Sequence, residues 1–281
     1  MRPFVLGAVA SLVLSRGVLA ACPGPEDVTR YLEDFRAARL SAGFGVDTLD
    51  DARCAKRKLV RELPAVLGAV VGYKAGFTNE AAQRRVGLDA PVWGTMFGAA
   101  LRENGASVDA RSGARLMFEP DLVFVVKDAA LARATTRLEA LSHLEAVVPF
   151  VELPDLMMPE PDGVAIVSVN VGFRAGVLGP RVPIEATDAF LDALATMDVV
   201  MSAGPKHREL ARAKGDLPMG HPVEAALWLA RALAADGIAL RPGDLLSVGA
   251  YAAPAPVEAG TEITVAYLGL PGDPEVAVRF E

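Results

Sequence analysis

Apolar positions near the N-terminus recur at helical spacing. Pro25-Glu26-Asp27 would give a first helix an acidic first turn, and Thr48 can cap a second helix that ends at Pro64. The apolar positions of these two helices are Val28, Tyr31, Leu32, Phe35 and Leu40, and then Ala52, Ala55, Leu59, Val60 and Leu63. The spacing predicts a helical N-terminal region over residues 22–65.

From Val66 onward the pattern changes to short β-branched runs bounded by Gly and Pro, which is typical of strands. The predicted strands are Ala69–Tyr73, Leu122–Val126, Ala146–Val151, Val164–Val171, Leu245–Val248, Glu262–Leu268 and Val276–Phe280. Helices are predicted between them at Thr135–Leu144, Ala186–Met197 and Val223–Ala235. A helical region followed by a strand-rich body over residues 66–281 predicts an α+β fold.

The first 21 residues have the layout of a secretory signal. A cationic start, Met1-Arg2-Pro3, precedes the apolar run 4–14, and a small-residue stretch leads to Cys22. The alternative is a buried N-terminal helix, but Arg16 would interrupt its apolar face. We therefore expect residues 1–21 to be a signal peptide and the protein to be periplasmic.

Cys22 and Cys54 are the two cysteines of the chain. Export would place them in a compartment where a disulfide persists, so we expect them to pair. The alternative is that Leu19-Ala20-Ala21-Cys22 is a lipoprotein cleavage site. Cys22 would then be a lipid anchor and Cys54 would remain free.

Composition narrows the class of protein. Of 281 residues 52% are apolar, enough to bury a core and to exclude a disordered chain. The formal net charge is −7 with no basic stripe, which excludes a nucleic-acid backbone as partner. Beyond the N-terminus no apolar run reaches the ~18–20 residues that span a bilayer.

Two carboxylates begin the apolar run Phe118–Val126. If this run is a strand, Glu119 and Asp121 project from one face with their Cα atoms ~7 Å apart. Like charges at this spacing need water, a shared proton or a cation between them. From this segment alone two interpretations remain: the acids are solvated at an exposed strand end, or they bind a cation.

A third carboxylate, Glu152, ends the apolar run 146–151, an unfavourable place for an unpaired charge. Three carboxylates at strand ends could hold one Mg²⁺ or Mn²⁺ through oxygen ligands. Zinc is disfavoured because His143, His207 and His221 form no paired-histidine motif.

Lys74 is the one charge in the apolar, glycine-flanked run 70–78. It could extend its ammonium to solvent from a strand end, or it could bind a substrate carboxylate and take part in proton transfer. Asp89 alone is typical of a turn acid, and Gly220-His221-Pro222 alone is typical of a helix cap.

Short motifs follow one another over residues 66–280 in a fixed order. They are Gly72–Thr78, Gly87–Gly94, Glu119-Pro120-Asp121, Pro149–Asp155, Asn170, Gly220-His221-Pro222 with Ala226–Ala230, and Leu240–Asp244. In this order they resemble the 2-keto-4-pentenoate hydratase branch of the fumarylacetoacetate-hydrolase-like superfamily. The resemblance implies a mixed β-roll or barrel with flanking helices, and an assembly of identical subunits.

The resemblance also implies a lyase that adds water to a 2-hydroxy-2,4-dienoate, a small 2-oxo acid in its dienol form. It assigns the metal, Mg²⁺ or Mn²⁺, to Glu119, Asp121 and Glu152. Lys74 and Asp89 would move protons along the conjugated system. The substrate-binding residues that it implies are Asn170, His221 and Ser247.

The chain departs from the family pattern at three places. Asp121 stands where Glu is usual, Val169 where Asp often precedes the asparagine, and Ser247-Val248-Gly249 where a Thr-Gly pair is common. Two alternatives therefore stay open. One is decarboxylation or hydrolysis of an acylpyruvate, and the other is an exported small-acid-binding protein without turnover.

Overall fold

The structure, a computed structural model, describes residues 22–281, so the predicted signal peptide 1–21 lies outside the described residues. The eight α-helices in this range are α1 (Pro25–Arg36), α2 (Leu49–Glu62), α3 (Pro64–Leu67), α4 (Glu80–Val86), α5 (Arg137–Ser142), α6 (Gly163–Ser168), α7 (Asp188–Thr196) and α8 (Pro222–Ala235). Its first seven strands are β1 (Val70–Gly76), β2 (Val92–Phe97), β3 (Leu101–Glu103), β4 (Ala106–Val108), β5 (Met117–Val126), β6 (Leu144–Pro154) and β7 (Phe173–Leu178). Seven more follow: β8 (Val182–Pro183), β9 (Asp198–Ala203), β10 (Arg208–Lys214), β11 (Leu245–Ser247), β12 (Ala255–Pro256), β13 (Glu262–Leu268) and β14 (Glu275–Phe280).

The N-terminal helices form where the periodicity predicts them. Thr48 caps α2 by accepting a hydrogen bond from the Asp51 amide at 3.1 Å, as the sequence predicts. In the structure Cys22, just before α1, is joined to Cys54 on α2, with Cα atoms 5.6 Å apart. The bond attaches the start of the described chain to the middle of α2.

Helices α1 and α2 share a hydrophobic core with strands β5 and β6. Phe35 on α1 and Leu59 on α2 belong to the same buried cluster as Val125 and Phe150 on the central strands. The predicted boundary between residues 65 and 66 falls inside α3. The helical region therefore covers one face of the strand-rich body.

Two mixed sheets make up that body. Nine strands form the larger sheet, in the order β2-β1-β11-β5-β6-β7-β3, with β12 beside β5 and β8 beside β6. The smaller sheet has the order β10-β9-β13-β14-β4. It packs with α8 against the second face of β5, where Leu122 and Phe124 join Val265 and Leu229 in one buried cluster.

The predicted strand Val164–Val171 is wrong, because these residues form α6 and a 3₁₀ turn over Asn170–Gly172. Asp162 caps α6 by accepting a hydrogen bond from the Ala165 amide at 2.8 Å. Val167 packs beside Ala52 of α2. Capping and tertiary packing outweigh the strand preference of the β-branched residues here.

Strands β2, β7, β9 and β10 were not predicted from the sequence, and neither were the short strands β3, β4, β8 and β12. Their residues include Arg208–Lys214, where polar and charged side chains interrupt the apolar pattern. Among residues 22–281, no helix combines the length and apolar character that crossing a bilayer requires.

Candidate functional site

A cavity of about 350 Å³ opens beside the end of β1, and we refer to it as the Lys74 cavity. Its walls are largely apolar, and its charged lining residues are Lys74, Arg85 and Glu119. Lys74 and Glu119 are 3% and 8% exposed, so they form its floor. A cavity of this size suits a small organic acid.

The three predicted metal ligands lie on one face of two neighbouring strands. Glu119 and Asp121 are two residues apart on β5, and the antiparallel register places Glu152 of β6 directly opposite Glu119. Residues opposite each other in such a pair have Cβ atoms about 4.5–5.5 Å apart. The register therefore brings together carboxylates that are more than thirty residues apart in the chain.

Lys74 joins this cluster from the next strands of the sheet. It pairs with Ser247 of β11, which pairs in turn with Val123 of β5. Its Nζ donates a hydrogen bond to Glu152 Oε1 and another, at 3.1 Å, to the Val171 carbonyl. The ammonium is thus a buried ion-pair partner rather than a solvated strand end.

Asp121 is held more rigidly than the other two acids. Its Oδ2 accepts from Ser247 Oγ at 2.6 Å, and its Oδ1 accepts from the Gly249 amide at 3.1 Å. Tyr267 donates from its hydroxyl to the Asp121 carbonyl. Gly249 has φ +102°, and a Cβ there would lie 2.3 Å from Thr78 Oγ1, so this contact requires glycine.

Burial and mutual repulsion disfavour the ionised carboxylates. Burial, followed by the charge of Glu152, raises the pKa of Glu119 well above its usual value and that of Asp121 to about 7. Burial also raises the pKa of Glu152 against the opposing effect of Lys74. For Lys74, burial alone would lower the pKa, but Glu152 and its neighbours outweigh it and hold the pKa above normal.

The donor set fits a divalent cation. Glu152 Oε2 is buried without a hydrogen-bond partner. With all four groups ionised, three carboxylates and one ammonium leave two negative charges for a cation to balance, and oxygen ligands suit Mg²⁺ or Mn²⁺. As the side chains are placed, no three acidic, His or Cys residues within 22–281 form a ready metal cage.

Asn170 supports the wall of the cavity from behind. Its Oδ1 accepts from the Thr95 amide at 2.7 Å, and its Nδ2 donates to the Thr95 carbonyl at 2.9 Å. Asn170 and Val171 have φ of 59° and 54°, a left-handed conformation that non-glycine residues adopt at a cost. This turn directs the Val171 carbonyl toward Lys74. In the structure Asn170 thus holds Thr95 and the turn before Lys74's carbonyl partner, and its predicted substrate contact stays a prediction.

Replacing Asn170 with alanine should lower the free energy of unfolding by about 2–5 kcal/mol, because both buried backbone groups of Thr95 would lose their partners. Thermal and urea denaturation measure this. Asn104→Ala is the matched control. Asn104 also bonds to backbone groups, accepting from the Ala277 amide and donating to the Glu275 carbonyl, but on the exposed surface. Equal losses in the two variants would contradict the assignment.

Ser247 and His221 also act away from the cavity lining. Ser247 is bound to Asp121 and positions a predicted metal ligand. His221 caps α8, since its Nδ1 accepts from the Val223 amide and its Nε2 donates to the Leu191 carbonyl, both at 3.1 Å. His221 therefore makes the helix cap that the sequence allows and is absent from the lining of the Lys74 cavity, and its predicted substrate contact stays a prediction.

Asp89 is not brought to the cavity either. It is exposed in the turn between α4 and β2 and is absent from the lining of the Lys74 cavity. Its predicted share in proton transfer stays a prediction. Val169, where the family pattern often has Asp, is buried in the core beneath the N-terminal helices.

Some site residues were missed from the sequence. Tyr267 could have been found, because a tyrosine in an alternating apolar strand needs a partner for its hydroxyl. Phe77 has φ 57° and lines the cavity, but nothing in its side chain predicts that conformation. Arg85 gave no signal, since its place on the cavity wall depends on how α4 packs.

The chain is similar to known 4-oxalocrotonate decarboxylases and 2-keto-4-pentenoate hydratases. It is 28% identical over 225 residues to a 4-oxalocrotonate decarboxylase from a Pseudomonas species, covering 79% of this chain and 83% of that enzyme. It is 29% identical over 183 residues to a 2-keto-4-pentenoate hydratase from Burkholderia vietnamiensis, covering 64% and 68%. No protein-family model matches the chain. The predicted resemblance to the hydratases is confirmed, and decarboxylases share it.

Solved structures agree on the fold. A 4-oxalocrotonate decarboxylase from Pseudomonas putida, complexed with magnesium and adipate, matches with a TM-score of 0.79 and 23% identity, over 91% of this chain and 96% of that one. A fumarylacetoacetate hydrolase family protein from yeast matches with a TM-score of 0.52 and 13% identity, over 74% and 91%. The predicted mixed α and β, fumarylacetoacetate-hydrolase-like fold is confirmed.

Proposed function

We propose that this protein is a lyase that depends on Mg²⁺ or Mn²⁺ and adds water to a small 2-hydroxy-2,4-dienoate. The observation that carries the proposal is the buried cluster of three carboxylates and Lys74, of which Glu119 and Lys74 form the floor of a largely apolar cavity. The relationship to a 2-keto-4-pentenoate hydratase supports the choice of reaction.

Glu119, Asp121 and Glu152 would hold the cation. When bound, it would polarise the 2-oxo and carboxylate oxygens of the substrate and stabilise negative charge on them. Ser247 and the Gly249 amide hold Asp121 in place, which lowers the rearrangement needed on binding.

Lys74 would move the proton. Its Nζ donates to Glu152 and to the Val171 carbonyl, and from the same place it would donate to the substrate during the reaction. The Val171 carbonyl keeps Nζ aimed at the floor of the cavity. The apolar walls, which include Leu156 and Ile166, exclude bulk water and strengthen these charge interactions.

An ultraviolet assay of the purified protein tests the reaction. A panel of dienols and acylpyruvates is followed with and without Mg²⁺ or Mn²⁺, and released carbon dioxide is measured in parallel. Metal-dependent loss of dienol absorbance without carbon dioxide supports hydration. Binding of these acids with no turnover of any of them would favour the small-acid-binding alternative.

Decarboxylation is the second candidate, because a 4-oxalocrotonate decarboxylase is among the relatives. The same cation and lysine would serve it, since both reactions place negative charge on the 2-oxo group. Release of one carbon dioxide per dienol consumed would decide for it. Assembly into a homo-oligomer stays a prediction for either enzyme.

We also propose that the protein is exported to the periplasm with its Cys22–Cys54 bond formed. The bond joins residues with a sequence separation of 32. On the chain-entropy model, closing a loop of this length stabilises the folded state by about 3–4 kcal/mol. Cys54→Ser should lower the free energy of unfolding by that amount in oxidised protein, and reduced wild type should match the variant. Intact mass gives a second check, because a diacylglycerol mass on Cys22 would exclude the bond.

A further inference from the structure

A second cavity, of about 170 Å³, lies on the opposite face of β1 from Lys74, and we refer to it as the Lys56 cavity. Tyr73 and Lys74 are neighbours on β1, and successive strand residues face opposite sides of a sheet. Tyr73 therefore lines this cavity while Lys74 lines the other. Its cationic, aromatic and aliphatic lining includes Lys56, Arg57, Tyr73, Trp93, Val60 and Ile238.

The ammonium of Lys56 is buried beside this cavity without a counter-ion. The residue is 4% exposed, its Nζ lies 3.2 Å from the centre of the Trp93 ring, and it donates to the Trp93 carbonyl at 2.9 Å. No carboxylate among residues 22–281 forms an ion pair with it, since Asp236 accepts from Trp93 Nε1 instead, at 3.0 Å. Burial, opposed by Asp236 and reinforced by Arg53 and Arg57, lowers the pKa of Lys56 to about 7. An anion in the adjoining cavity would supply the missing partner.

The lining determines which kind of anion fits. None of the lining residues is acidic, so an anionic group would meet the cations of Lys56 and Arg57 without repulsion from the walls. Tyr73 and Trp93 form an edge-on pair with ring centres 6.0 Å apart, and such rings pack well against another aromatic ring. The cavity is smaller than the roughly 300–1,000 Å³ of sites for drug-sized ligands, so its ligand is small.

We propose that the Lys56 cavity binds a small aromatic carboxylate, with its carboxylate against Lys56 and its ring beside Tyr73 and Trp93. Solvent-exposed Arg57 adds a second cation to the site. The site is separate from the Lys74 cavity and does not depend on the proposed reaction. Dienol turnover is measured on its own, so a failure of either proposal leaves the other standing.

The fluorescence of Trp93 tests the binding. The chain has two tryptophans, so Trp228→Phe leaves Trp93 as the single reporter, and benzoate is titrated into the Mg²⁺-loaded protein. Benzamide is the matched probe without the charge, and acetate is the probe without the ring. We expect benzoate to bind at least about 10-fold more tightly than either of them.

The affinity should also depend on pH. An anion favours the charged form of Lys56, whose fraction falls by about 30-fold between pH 6 and pH 8.5, so benzoate should bind more weakly by up to that factor. The charged and titratable groups around Lys56 are Arg53 and Arg57 on its own helix, Asp236 just after α8, and Tyr73 on β1. Arginine, aspartate and tyrosine have ordinary pKa values outside this range, and burial raises the pKa of Tyr73 further.

Lys56→Met should abolish the preference for benzoate over benzamide. Lys58→Met is the matched control on the same helix, because Lys58 donates to the Pro23 carbonyl at 2.7 Å and does not line the cavity. It should keep the wild-type affinity. The comparisons of probes and of pH need no change at Lys56, so they decide the inference even if Lys56→Met folds poorly. Equal binding of benzoate and benzamide, equal affinity at pH 6 and pH 8.5, or equal effects of the two methionine variants would each overturn it.

Discussion

Replacing Lys74 with methionine is expected to lower turnover by about 10²–10⁴-fold, the usual contribution of a positioned proton donor. Methionine is nearly as long as lysine, but it lacks the ammonium that donates to Glu152 and to the Val171 carbonyl. Initial rates on the substrate found in the ultraviolet assay measure the effect, at saturating metal and at matched folded fraction.

The same change should also destabilise metal-free protein, because breaking a buried ion pair typically costs about 3–5 kcal/mol. Lys56→Met separates this effect from catalysis. Lys56 is as buried as Lys74, lies over the Trp93 ring and donates to the Trp93 carbonyl at 2.9 Å, outside the Lys74 cavity. It should lose stability and keep turnover. Full activity of Lys74→Met at matched folded fraction would refute the role.

Glu152→Gln is expected to weaken Mn²⁺ binding by more than about 100-fold, beyond the loss typical for residues that only support a ligand. Glutamine keeps the shape but removes the charge of Glu152, whose Oε2 is buried without a hydrogen-bond partner. Turnover should fall in parallel and recover in part at high metal concentration. Calorimetry or Mn²⁺ electron paramagnetic resonance measures the binding directly.

Asp155→Asn is the matched control on the same segment. Asp155 is buried like Glu152, but it accepts from the Arg115 amide at 2.7 Å and pairs with Arg174 at 3.1 Å. Its loss should lower stability and leave Mn²⁺ affinity unchanged. If both variants bind Mn²⁺ like the wild type, Glu152 is not a ligand.

Local pattern in the sequence was enough to select the four charged residues that the structure brings together. Glu119 and Asp121 are two residues apart in an apolar run, and the strand pleat alone places them on one face. Glu152 and Lys74 stand out because each is a charge in an apolar run, which indicates a buried partner. Motif order then predicted the family resemblance and the fold class.

The backbone groups that Asn170 and His221 contact could not be obtained from local pattern. Asn170 binds Thr95, and His221 binds the Leu191 carbonyl, so each partner comes from a different element. A polar residue near a motif has the same local pattern whether it contacts a ligand or a backbone group. Only the packed structure distinguishes the two.

By itself, the sequence indicated that Lys74 and the three acids of the site carry charge into apolar segments, because an apolar run and its periodicity are properties of neighbours along the chain. The tertiary structure decided that Glu152 lies opposite Glu119 and that Lys74 pairs with Ser247. It also decided that Val164–Ser168 is helical and that Arg85 faces the cavity. Strand register and helix packing depend on contacts between segments that are distant in the chain, so a local pattern does not predict them.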